Sequence, residues 1–439
     1  MAAASHVDVK NLAGGVPGLS AAAAAIHENR LSVDGYIAAC LRRIASEEDR
    51  VRAFTACDRD EAEKRAYVFD RMPAGKRGPI HGIPYAVSTA FDIKGEPSNF
   101  APALREERFA SADAAIVAAS RKAGAIAIGT TSSAEFGCFG AGAIGNPWAE
   151  ARSSGGSGAA AAVASGMLPL AFGWRPDGAI AVSAGYCGIY GLKPTRGAIP
   201  GGGVQSLVPS LESVGLYVRE AADVALVSQL FLGYKHLADR GDLASCADTL
   251  AVQILDGASA YRIQPPARSA LNRAVTALSD ARVEIAHRRF SPGFVKAERC
   301  YDTIFSYEIA QELARDRDRL PDAMGEEALV RIDHGRQVGA SAYELARRDV
   351  IAMRSELLDQ LEGNTVLLDV AIEGVAPIRE DDTGWSPMQA LWALTGIPTL
   401  VVPCGLMDGL PIGVQIAAAP GREDLLARTA SIIEGRMET

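Results

Sequence analysis

The stretch that most constrains the fold runs from Arg152 to Gly197 and reads RSSGGSGAAAAVASGMLPLAFGWRPDGAIAVSAGYCGIYGLKPTRG. A run of glycines and hydroxyls, Ser153-Ser154-Gly155-Gly156-Ser157-Gly158, passes directly into an alanine-rich apolar segment. A flexible linker joins domains and does not open a buried helix, so this run is expected to be a folded loop. The whole stretch reads as loop, helix, strand and turn. Backbone N–H groups and hydroxyls would then gather at a helix start, where partial positive charge favours an anion or oxyanion.

Composition narrows the function classes. Of 439 residues, 48% are apolar and 22% charged, which calls for a sizeable packed core. The net charge is -9 and no lysine/arginine run stands out, so nucleic-acid binding by phosphate neutralisation is not expected. Seven scattered cysteines (Cys40, Cys57, Cys138, Cys187, Cys246, Cys300, Cys404) form no C-x-x-C pair, which suits a reducing cytoplasm. The alanines at 21–25 lack the preceding basic stretch of a signal peptide. Ser165, Gly166 and Pro169 break the apolar run Ala159–Phe172, so no membrane span is expected.

Cofactor and metal signatures fail on context. Gly140–Gly145 matches G-x-G-x-x-G, but Asn146-Pro147 follows where a helix should begin. Gly173–Gly178 has P-loop glycine spacing, yet Ala179-Ile180 stand where lysine and a hydroxyl are needed. The six histidines (His6, His27, His81, His236, His287, His334) show no metal-ligand spacing. The expectation is no cofactor and no metal.

Taken in order, residues 1–18 read as a loose or edge-packed start, followed by helices at about 19–28 and 32–46, a strand at Val51–Cys57 and a charged helix at Asp60–Arg71. A strand at Tyr85–Val87, a helix at Ala112–Lys122 closed by Gly124, and a strand at Ile126–Gly129 come next. Ala221–Leu232 reads as a helix, as do about 267–280, 297–315 and 341–361. Strands at Pro398–Val402 and Ile412–Ile416 and a helix at Arg422–Glu434 close the chain. Alternating helices and strands argue for an α/β fold with a largely parallel sheet.

The run Tyr186-Cys187-Gly188-Ile189-Tyr190-Gly191-Leu192-Lys193-Pro194-Thr195-Arg196-Gly197 resembles the amidase signature family. These are serine hydrolases that cleave C–N bonds with a Ser–Ser–Lys triad. Their core reads roughly GGSSGGS, then GTDTGGSIR, then FCGVVGLKPTRG. Further matches follow in the family's order: Pro79–Val87 to LHGIPVAV, Gly124–Thr131 to GAVVLGKTN, and counterparts of Gly145–Trp148, Ser210–Gly215, Thr395–Pro398 and Gly409–Gln415. The resemblance implies a central twisted mixed, largely parallel β-sheet flanked by helices on both faces. It implies one domain over 1–439, with 235–385 a variable, mostly helical segment near the substrate entrance.

The departures fall on the chemistry. Ser88 stands where the family has its catalytic lysine, and Ala179 where it has the nucleophilic serine. The neighbouring arginine falls on Ala181 and the acid of GTD on Arg175. The middle serine is Gly155 if the helix sets the alignment and Ser153 if the SSGG letters do. The turn before the nucleophile is Pro176-Asp177-Gly178; proline has no N–H to give an oxyanion, and Asp177 brings negative charge beside it. Ser154, Gly156, Ser157, Pro176, Asp177 and Gly178 are the candidate binding positions.

Other groups have simpler readings. His81 is expected to hydrogen-bond structurally, Lys193 to be structural, and Ser183 to be a packed serine without a base. Lys94, six residues beyond Ser88, is not expected to replace the lysine. The sequence therefore leads to an amidase-fold protein that is catalytically silent or impaired. It would bind a small amide or carboxylate, or an active amidase partner, as a homo- or hetero-oligomer. The alternative is a working C–N hydrolase with a relocated serine.

Overall fold

Local chemistry sets several element boundaries. The computed structural model of the chain describes residues 16–98, 100, 109–140, 142–233, 250–256, 263–289, 293–381, 386 and 389–437. The first half holds α1 (Leu19–His27), α2 (Val33–Val51), β1 (Phe54–Cys57), α3 (Arg59–Asp70), β2 (Pro84–Ser88), α4 (Ala115–Lys122), β3 (Ile126–Thr131), α5 (Gly158–Ala164), β4 (Leu170–Arg175), α6 (Ile180–Cys187), β5 (Tyr190–Lys193), β6 (Ser213–Val218) and α7 (Ala221–Leu232). The second holds β7 (Ala251–Asp256), α8 (Pro265–Asp280), β8 (Glu284–Arg289), α9 (Gly293–Arg319), α10 (Glu326–Gly335), α11 (Ala340–Gln360), β9 (Thr365–Val370), α12 (Ala390–Thr395), β10 (Thr399–Met407), β11 (Leu410–Ala417) and α13 (Glu423–Met437). Ser32 and Asp58 cap α2 and α3 by accepting the N–H groups of Gly35 and Glu61. α8 starts on Pro265, whose missing N–H costs nothing in a first turn.

One eleven-stranded sheet runs through the molecule in the order β1-β3-β2-β4-β6-β5-β10-β11-β9-β7-β8. β2 is parallel to β3 and β4, and β7 is parallel to β8 and β9. The remaining neighbours pair antiparallel. The mixed α/β sheet is the expected architecture; of its ten strand pairings among the described residues, four are parallel and six antiparallel. α5 packs on β4, α6 packs on β5 and β11, and residues 153–194 are all buried. The stretch singled out in the sequence is thus the centre of the core.

Three differences have physical causes. The segment 235–385 is more than helices: β7, β8 and β9 extend the sheet at one edge. Six-residue strands between long helices leave a weak periodic signal. α6 was hidden because all eight of its residues are buried, so no polar face marks a helical repeat. β1 starts late because α2 continues to Val51 and turns on Arg52 at φ 53. The start at 1–15, His6, His236 and Cys246 lie outside the described residues. Among the described residues no helix is long and apolar enough to cross a membrane, and no three His, Cys, Asp or Glu could hold a metal ion.

Candidate functional site

Ser88 ends β2, buried, beside Thr131 of β3 in the parallel register. Neither Ser88 Oγ nor Thr131 Oγ1 has a hydrogen-bond partner among the described residues. Lys94 lies six residues on, at an exposed turn.

The loop at 153–158 is tied down by a motif whose letters gave no hint of its task. Asn146 Nδ2 donates to the Ser153 carbonyl at 2.7 Å and to the Tyr186 carbonyl at 3.0 Å. Its Oδ1 accepts the Trp148 N–H at 2.8 Å, and Trp148 Nε1 donates to the Cys187 carbonyl at 2.8 Å. Gly145–Trp148 therefore locks the loop to the far end of α6. The loop's own donors are largely engaged within the chain. Gly155 N–H reaches Ser153 Oγ at 2.9 Å, Gly158 N–H the Ser132 carbonyl at 2.9 Å, and Ala160 N–H Ser157 Oγ at 3.3 Å. Ser154 Oγ donates to the Ile144 carbonyl at 3.4 Å. The helix they open, α5, has only seven residues.

Gly155 and Gly156 both sit at φ 69. A Cβ on Gly155 would stand 2.7 Å from Ser183 Cα, and one on Gly156 would stand 2.8 Å from Ala134 Cβ. Left-handed backbone and close approach both require glycine here.

The second turn carries the main surprise. Arg175, at the end of β4, is 2% exposed and donates from Nε and Nη2 to the two carboxylate oxygens of Asp177, at 2.9 and 2.6 Å. Its Nη1 donates to the Gly155 carbonyl at 2.8 Å. Asp177 is also 2% exposed, and its Oδ1 accepts the Ala179 N–H at 3.0 Å. Burial opposes the charged guanidinium, but the facing carboxylate outweighs it and holds Arg175 above its usual range. Gly178, at φ 72, fits under Ala393, and Ala179 presents only a methyl group at the start of α6. Sequence reasoning placed Asp177 beside an oxyanion; the structure shows its carboxylate bonded to the N–H of Ala179.

Ser183 Oγ lies 2.7 Å from Tyr217 Oη and 3.2 Å from the Ile180 carbonyl. Burial raises the Tyr217 phenol, so it stays protonated and is no base. His81 bonds the Phe69 carbonyl through Nε2 at 2.9 Å and stacks on the Phe69 ring. Lys193 Nζ donates to the Ile397 carbonyl at 2.5 Å. A cavity of about 190 Å³ opens beside Trp174, lined also by Arg196, Ile199, Val204 and Glu212.

A sequence model of the family described as Amidase matches residues 36–427. The chain belongs to the amidase signature family. It is 29% identical to a glutamyl-tRNA(Gln) amidotransferase subunit of Anaeromyxobacter sp. (strain K), over 95% of each chain. It is 30% identical to the protein of the same name from Roseiflexus sp. (strain RS-1), over 89% of this chain and 90% of that one. Among solved structures it resembles the inhibitor-bound form of a vestigial protein complex tied to the origins of an s-triazine catabolic enzyme. That match has a TM-score of 0.86 at 25% identity and covers 95% of this chain and 98% of that chain. The peptide amidase of Stenotrophomonas maltophilia matches with a TM-score of 0.80 at 24% identity, over 96% and 97% of the two chains. The family match at 36–427 thus takes in the three strands from the segment expected to be mostly helical.

Proposed function

We propose that this amidase-signature protein is catalytically silent and acts by binding, as the companion of an active amidase-family partner or as a receptor for a small amide or carboxylate. The observation that carries the reading is the turn at 175–179. The position matching the nucleophile holds the methyl of Ala179, and the N–H beside it is bonded to the chain's own Asp177 carboxylate. A tetrahedral intermediate needs an attacking atom and N–H donors aimed at its oxyanion. Here both are replaced. Ser88 in the lysine's position removes the base as well.

The partner role draws support from relatives named as amidotransferase subunits, and from a neighbour described as a protein complex. The small-ligand role would use the cavity beside Trp174. Its volume is close to that of an engineered apolar cavity of about 150 Å³ that binds benzene. The rival, a hydrolase using Ser183, lacks a base, because the partner of that hydroxyl is a protonated phenol.

The test is turnover of a panel of simple amides by the purified protein, read as ammonia release, with Ser153→Ala as control. A serine-directed fluorophosphonate is mapped by intact mass in parallel. No turnover and no adduct are expected. Stoichiometric labelling of Ser153, Ser154 or Ser183, or turnover abolished by Ser153→Ala, sinks the proposal.

A further inference from the structure

The turn at 175–179 has a feature that silence alone does not require. Arg175 is fully buried, directs three nitrogens at acceptors, and meets a carboxylate in the fork-to-fork geometry that guanidinium groups use for free carboxylates. The Ala179 N–H adds a third donor to the same carboxylate. Arg175 is itself anchored from behind by the Gly155 carbonyl. These are the parts of a binding site for a small carboxylate. Its occupant is a side chain two residues away.

We infer that Arg175 and the Ala179 N–H form a carboxylate receptor occupied in the native chain by its own Asp177, and that a small monocarboxylate such as formate binds there once the Asp177 carboxylate is removed. This deepens the silent reading, because the place where an oxyanion would be held has become a self-filled anion site. The tether is expected to keep a free carboxylate from competing in the native protein. Asp177 is held next to Arg175 by covalent bonds, so its effective concentration far exceeds the millimolar range of an added ligand. Removing it leaves a buried guanidinium without its counter-charge, a strongly unfavourable state. An external anion small enough to fit relieves that state. Because Asp177, Ala179 and the whole surrounding stretch are buried, only the smallest carboxylates fit.

The experiment is chemical rescue of Asp177→Gly in the full chain, using sodium formate, with sodium chloride at equal ionic strength and sodium benzoate as comparisons. The melting temperature of the variant is expected to lie well below that of the native protein. It should rise along a saturating curve with formate, not with chloride or benzoate, and the native protein should not respond. In Asp177→Gly with Arg175→Met, formate should have no effect. If the single variant is recovered only unfolded, refolding yield against the same anions reads the same equilibrium.

A variant that formate and chloride affect alike overturns the receptor, as does formate rescue that persists without Arg175. A native protein stabilised by formate as strongly as the variant overturns the claim that Asp177 occupies the site. Amide hydrolysis by the native chain would defeat the silent reading and leave this rescue unaffected, so the two failures are distinguishable.

Discussion

Asp369 is the buried carboxylate with most to reveal about how this core is charged, and Asp369→Asn is the variant that tests it. The side chain is 2% exposed on β9, opposite Gln415 of β11 in the antiparallel register. Oδ1 accepts the Val370 N–H at 2.8 Å, while Oδ2 and Gln415 Nε2 have no partner among the described residues. Gln389 Nε2 joins the cluster by donating to Gln415 Oε1 and the Ala371 carbonyl, both at 3.0 Å. Burial raises the Asp369 carboxyl to about 8, against a small opposing effect of the Val370 N–H.

An acid whose folded value lies above its unfolded value of about 3.9 keeps a proton in the fold that it loses on unfolding. Stability is therefore highest at low pH and falls as pH rises from about 4 to about 8, where the slope ends. Each pH unit inside that window is worth about 1.4 kcal/mol, so the loss from pH 5 to pH 8 is on the order of 4 kcal/mol. Asparagine keeps the shape and the acceptor for Val370 but carries no titrating proton. Urea unfolding of both proteins, followed by circular dichroism from pH 5 to 8, measures the difference. The variant should match the native protein near pH 5 and exceed it progressively toward pH 8. Parallel curves across that range would show that Asp369 is already ionised in the fold, and the reasoning would fail.

Other positions make sharper mechanical predictions. Gly155→Ala should cost on the order of 3 kcal/mol or more, since φ is 69 and the added methyl meets Ser183 Cα at 2.7 Å; an unchanged melting temperature would contradict this. Asn146→Ala strands the buried Ser153 and Tyr186 carbonyls and should cost about 2–4 kcal/mol by thermal or denaturant unfolding. Tyr217→Phe removes the partner of Ser183 and should lower stability by about 1 kcal/mol; if it instead abolished an amide-hydrolysing activity, Ser183 would be a working nucleophile.

The sequence made the outline readable because the family motifs sit in the core, where a packing requirement fixes both residue and spacing. Amphipathic helices such as α2 and α8 were legible from their apolar spacing. α6 was not, since burial on every side erases the period. β7 and β8 lay between long helices and were lost beside them. At the site, Pro176 and Asp177 could be read as damage to an oxyanion hole, because each changes a local donor or charge. The partnership between Arg175 and Asp177 could not be read, since two charges two residues apart pair only when a turn brings them together. Asn146 was likewise invisible, because its partners, Ser153 and Tyr186, lie 7 and 40 residues away in sequence.

If the chain is silent as proposed, the structure also constrains how activity could be introduced. Gly155 in the left-handed region excludes a serine there without displacing Ser183, so on the proposed reading Ser153 is the middle position to build on. Ser88→Lys would add an ammonium group to a buried site, next to hydroxyls but without a counter-charge shown there. Ala179→Ser would supply a nucleophile whose own backbone N–H is held by Asp177. Removing Asp177 to free that N–H would leave Arg175 unpaired in the core, and this is itself destabilising. Each repair thus creates a fault at a neighbour, and groups that act as a unit return little when restored singly. Ser88→Lys, Ala179→Ser, Asp177→Gly and Pro176→Thr need to be made with Arg175→Asp and Ala181→Arg, which move the acid and the arginine to the positions the family motif gives them. On the proposed reading the buried ion pair couples the fold to the loss of chemistry: the carboxylate that takes the Ala179 N–H also satisfies Arg175.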